Sequence, residues 1–188
     1  MKSRVAVGVL AVVVAVGLVA VGLVGCSGGA PKPSPTPTPP FASADAAYKA
    51  AEATYRGYVD ALNKVDPDNP KTFEPVYMWL SGPALDADRK ELTAMGAHHL
   101  RIVGDASVKR TAPVEGGDPL WGDVTIDACY DVHAVDIIDR TGHSLVSPSR
   151  ADIERLTVTV SRDAGTRTGM RIVQIKIQDD PAQCAASR

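Results

Sequence analysis

An α+β domain, helices first and an antiparallel sheet after them, is the fold class that residues 43–188 predict. Apolar residues recur at steps of three and four from Ala44 to Leu62, the signature of one helix face. After Gly96 the apolar period changes to two, the signature of half-buried strands. Glycine, proline and Asp/Asn clusters divide the two regimes into three helical segments and four extended ones.

Ser43 has the side chain of an N-cap, so the first helix is expected to open at Ala44. Ala44, Ala47, Tyr48, Ala51, Tyr55, Tyr58, Val59 and Leu62 make its apolar stripe, with Lys49, Glu52, Arg56 and Asp60 opposite. The run from Val65 through Asp66, Pro67, Asp68 and Asn69 to Pro70 ends it. A second helix is expected from Thr72 or Phe73 to Leu80, where Pro75 is tolerable in the first turn. Gly82 closes that helix. Pro83 opens a third through Leu85, Leu92 and Met95, and Gly96 stops it.

His99 to Thr111 reads as the first strand, with a bulge at Gly104. Asp123 to Ile138 is the clearest strand: Val124, Ile126, Ala128, Tyr130, Val132 and Ala134 face inward. Thr125, Asp127, Cys129, Asp131 and His133 face outward. Arg140 to His143 is a turn. Ile153 to Ser161 gives a third strand with Leu156, Val158 and Val160 inward, and Ala164 to Gly169 turns into a fourth with Val173, Ile175 and Ile177 inward. The helices are expected to pack on a curved four-stranded antiparallel sheet.

Residues 1–25 have the make-up of an export signal, in which Lys2 and Arg4 precede an apolar run from Val5 to Gly25. The run ends Leu23-Val24-Gly25-Cys26, which resembles a bacterial lipobox. That resemblance implies cleavage before Cys26, lipidation of Cys26, and a domain held on the outer face of the cell membrane by its acyl chains. An uncleaved transmembrane anchor is the alternative, because about 20 apolar residues suffice to span a bilayer. Either way the N-terminal positive charges stay inside and the domain goes out. Residues 26–42 form a Pro/Thr/Ser-rich tether. Its prolines favour extended polyproline II, and at ~3.1 Å per residue the stretch from Pro31 to Pro40 reaches roughly 30 Å.

Of the 20 basic residues, Lys2, Arg4 and Lys32 lie upstream of the domain, while all 22 acidic residues lie within it. The domain is therefore net acidic, which excludes the electrostatic footprint of a nucleic-acid partner. Apart from Cys26 the cysteines are Cys129 and Cys184. In an oxidising compartment they most simply pair, two independent thiols being the alternative. A bridge over that separation would contribute roughly 4 kcal/mol on the chain-entropy model.

The lipobox, the Pro/Thr tether and the Ala- and Tyr-rich first helix join three further features. These are Leu80-Ser81-Gly82-Pro83-Ala84-Leu85-Asp86, Ala128-Cys129-Tyr130-Asp131-Val132 followed by Val135-Asp136, and a lone Cys184 near the C-terminus. Together they resemble a group of small actinobacterial lipoproteins built on the nuclear-transport-factor-two-like, or cystatin-like cone, fold. The resemblance spans nearly the whole chain through structural motifs. It implies that Cys129 lies on the sheet's outer face and that the C-terminal tail crosses that face to bring Cys184 into reach. Where such domains usually carry Gly-Trp-x-Val, this chain has Gly169-Met170-Arg171-Ile172-Val173.

Isomerases and cyclases of the broader fold work inside the cone with an Asp base beside a Tyr or His donor. Here the inward positions of the clearest strand are apolar apart from Tyr130. Tyr55, Tyr58 and Tyr130 could line a cavity, although aromatic residues on an apolar face more often build core. Asp136 comes nearest to a base at the cone's rim, yet a strand-end acid is more often solvated. His98 and His99 adjoin and would point apart on a strand. Asp127, Asp131 and His133 share a face but lack a convergent fourth ligand for a metal. No catalytic residue, metal or cofactor is expected.

Three functions fit these features. The favoured one is a non-enzymatic, membrane-anchored module that binds a protein or a small apolar ligand. A scaffold component of envelope assembly, conjugation or phage exclusion is the alternative. An isomerase or cyclase is third, and would be marked by a buried Asp or Glu in an enclosed cavity.

Overall fold

A computed structural model describes residues 38–180 and 182–185. The expected export signal, Cys26 and the first part of the tether lie outside the described residues. The domain is α+β: helices lie against one face of an antiparallel sheet.

Helix α1 spans Ala44–Leu62, and Ser43 caps it by accepting a hydrogen bond from Ala46 N at 3.1 Å. Its buried stripe contains Ala47, Ala51, Tyr55, Tyr58 and Val59. Thr54 is also fully buried, because its Oγ1 donates to Ala50 O at 2.7 Å and meets Thr168 Oγ1 at 2.7 Å. Gly57 makes room for Trp79; a Cβ there would lie 2.4 Å from the indole ring. The expected second helix is shorter than the reading allowed. A 3-10 turn at Pro70–Thr72 precedes α2 (Glu74–Tyr77), and the chain continues to Leu80 as hydrogen-bonded turns, with Trp79 N donating to Val76 O and Leu80 N to Tyr77 O. Helix α3 (Gly82–Ala97) buries Ala84 and Leu92.

The four-stranded sheet runs β2 (Ser107–Pro113), β3 (Val124–Asp131), β5 (Ile153–Arg162) and β6 (Met170–Gln178), antiparallel throughout. Between β3 and β5 the register is unbroken from Val124↔Val160 to Asp131↔Ile153. Ile126, Ala128, Val158, Val160, Met170 and Ile172 meet the α1 stripe to form the core. The β6 edge is covered where Trp79 O accepts from Ile172 N and Ile172 O accepts from Ser81 N, each at 2.9 Å.

Three strand expectations are corrected. The segments 99–111 and 123–138 each break in two. Their ends, β1 (Arg101–Val103) and β4 (Asp136–Ile138), leave the main sheet and pair as a separate ribbon, Arg101↔Ile138 to Val103↔Asp136. Gly104 marks this departure rather than a bulge. It has φ +78°, and a Cβ there would fall 1.9 Å from Ala134 O, so glycine alone permits the crossing. Ala134, expected inward, is exposed because β3 has already ended.

The third correction concerns β6. A register shift opposite Thr159 and Val160 inserts an extra residue near Val173, and such a slip exchanges the faces of a strand. Met170 and Ile172 are fully buried and Ile175 packs against the core; Ile177 shares their face, opposite inward Leu156, but is 68% exposed toward the end of the strand. Met170 fills the core at the start of this strand.

Candidate functional site

A half-open pocket of about 230 Å³ lies where the end of α1, the middle of α3, Tyr130 and the β1–β4 ribbon come together. Helix α1 supplies Tyr58 and Leu62, and α3 supplies Asp88, Glu91, Leu92 and Met95. Ile102 and Ile137 close the far side from the ribbon. Asn63 fixes the wall between ribbon and sheet. Its Nδ2 donates to Ala106 O and its Oδ1 accepts from Ala106 N, both at 2.9 Å, as a strand neighbour would.

Asp88 is the polar centre. Tyr58 Oη donates to Asp88 Oδ2 at 2.9 Å. Burial raises the Asp88 pKa above the usual carboxylate range and the charge of Glu91 adds to it, while the Tyr58 hydrogen bond opposes the rise. Burial, then the neighbouring Asp88 charge, pushes the Tyr58 hydroxyl well above its ordinary value. Tyr130 is pushed up to about 12, chiefly by burial and next by the charge of Glu154.

Of the three tyrosines read as possible cavity lining, the structure places Tyr58 and Tyr130 in the pocket wall. Tyr55 packs behind them, 1% exposed, stacked 6.1 Å from Tyr58 and edge-on 6.5 Å from Tyr130. Sequence reasoning missed Asp88, although a signal existed. Asp88 falls between Leu85 and Leu92, with Met95 beyond, at steps of three, four and three, so an acid interrupts the apolar stripe of α3.

The other candidate groups do not line this pocket. Asp136 Oδ1 accepts from Ser144 Oγ and Ile137 N, away from the pocket. Asp127 pairs with Arg155 and Thr157. His99 has φ +52° and its Nδ1 lies 2.9 Å from Asp68 Oδ1. Asp131 lies on the outward parity yet is 5% exposed, because Lys109 and His133 cover it. Among the described residues no cluster has the donors of a metal site. On the same outer face Cys129 and Cys184 are joined by a disulfide, with Cα atoms 5.5 Å apart. The tail carrying Cys184 is further held by Arg110, whose Nη2 donates to Gln183 O at 2.6 Å.

No family model matches the chain, and no curated protein does. Among solved structures the chain is similar to a periplasmic fragment of TraM, at 14% identity and a TM-score of 0.48, over 74% of this chain and 100% of that one. At that level of likeness neither role nor partner transfers.

Proposed function

We propose that this chain is a lipid-anchored, extracytoplasmic binding module with a cone-like domain that receives a small apolar ligand. The half-open apolar pocket carries this reading. An apolar cavity of about 150 Å³ is large enough to bind benzene, so 230 Å³ suits a single ring or a short branched chain. The disulfide agrees with an oxidising compartment, and the Cys26 motif supplies an anchor.

Asp88 favours a second reading, an isomerase-like enzyme, because its pKa is raised within a pocket. The geometry weighs against it. A general base and an oxyanion donor must address different atoms of a substrate, whereas the Tyr58 hydroxyl donates its hydrogen bond to the carboxylate itself. Binding without turnover is the better account.

The test is ligand-observed NMR of toluene with the full chain in lipid nanodiscs. Met95→Trp, which fills the pocket, serves as the control for partition into lipid. Signals of bound toluene should be present with the parent chain and absent with the variant. Equal signals from both would refute a ligand pocket at this site.

A further inference from the structure

We propose that the ligand of this pocket is a small amine with an apolar body, its cationic group held by Asp88. The inference rests on the binding reading above and adds the chemical class of the ligand.

The polar inventory of the pocket is one-sided. Asp88 and Glu91 are the charged residues in its lining, which contains no Lys, Arg or His. Both donor and acceptor of the Asn63 carboxamide are spent on Ala106. Tyr58 satisfies Asp88 Oδ2, and Asp88 Oδ1 makes no hydrogen bond among the described residues. Arg150 lies near Tyr130, but its guanidinium is turned onto the carbonyl oxygens of Val132 and Val135, each at 2.7 Å.

A half-buried carboxylate therefore faces an apolar space with no counter-cation. An anionic ligand would meet two like charges there. A ligand without a donor would cover the carboxylate and leave its free oxygen unsatisfied, and a neutral hydroxyl would offer it only an uncharged hydrogen bond. An ammonium gives that oxygen a charge-assisted hydrogen bond. The rings of Tyr58 and Tyr130 add electron-rich surface that favours a cation. Glu91, exposed at the rim, steers a cation toward the opening. The apolar body has Leu62, Leu92 and Ile102 to rest against.

Phenethylamine, 2-phenylethanol and 3-phenylpropionate share a body and differ in head-group charge. Titrated calorimetrically into the purified full chain, the amine should bind at least tenfold more tightly than the alcohol, and the carboxylate should not bind. In Asp88→Asn the amine should lose its advantage while the alcohol keeps its affinity, because the amide oxygen still accepts from Tyr58. The comparison on the parent chain decides the matter even if that variant is unstable. Alcohol binding as tight as the amine, or alcohol binding without the amine, overturns the amine proposal and leaves an apolar pocket standing. Silence of all three compounds together with toluene overturns both.

Discussion

Asp131 shows how one side chain sets a pH response. Lys109 is the extra residue of the β2 bulge, and its Nζ reaches Asp131 Oδ2 at 2.8 Å. His133 donates from its backbone N to Oδ1 at 3.0 Å, with its ring Nδ1 2.7 Å from the same oxygen. Burial alone would raise this carboxyl, but these partners hold it well below the usual range. A carboxyl lowered by folding contributes stability above its unfolded pKa, and that stability is lost as pH falls through the folded value. Asp131→Asn should therefore cost about 1–3 kcal/mol at pH 7 and somewhat less at pH 3, where the unfolded carboxyl is largely protonated while the folded one stays ionised. Urea unfolding at both pH values is the check, and an equal loss at both would mean that charge plays no part.

Among the elements, those held by local pattern were legible in the chain and those shaped by distant contacts were not. Helix α1 followed from Ser43 and its stripe, because cap and periodicity are both local. The β1–β4 ribbon did not, since its cause is the approach of Gly104 to Ala134 O, a contact between residues far apart in sequence. In β6, Met170 and Ile172 alternate as well as Val173, Ile175 and Ile177 do, so pattern alone could not locate the bulge that separates the two sets. The pocket was half legible: Tyr58 and Tyr130 were visible as aromatics on apolar faces, whereas a single acid such as Asp88 in a helix reads as solvated surface until the packing of α3 is known.

The disulfide gives a prediction at the same scale. It joins β3 to the short helix α4 (Ala182–Ala185) across 55 residues. Cys129→Ser and Cys184→Ser should each cost on the order of 2–4 kcal/mol, and the double variant no more than either single. Additive losses in chemical denaturation would mean that the two thiols act independently.

For the whole molecule, the proposed lipid anchor rests on Cys26 and its neighbours. Cys26→Ala should release the chain from the membrane fraction or leave it as an unprocessed precursor. A correctly shortened chain still retained in membranes would sink the anchor. The acidic balance of the domain fits the same picture, since attraction to anionic headgroups would oppose a tether's reach.

The pocket has walls of unequal permanence. Tyr130 belongs to β3, which is hydrogen-bonded along its length to β2 and β5, whereas Ile102 and Ile137 sit in a ribbon of three residue pairs. Breathing of that ribbon would widen the mouth without breaking a rung of the main sheet. A guest larger than the resting opening could thus enter at the cost of a few local hydrogen bonds, with the core left undisturbed.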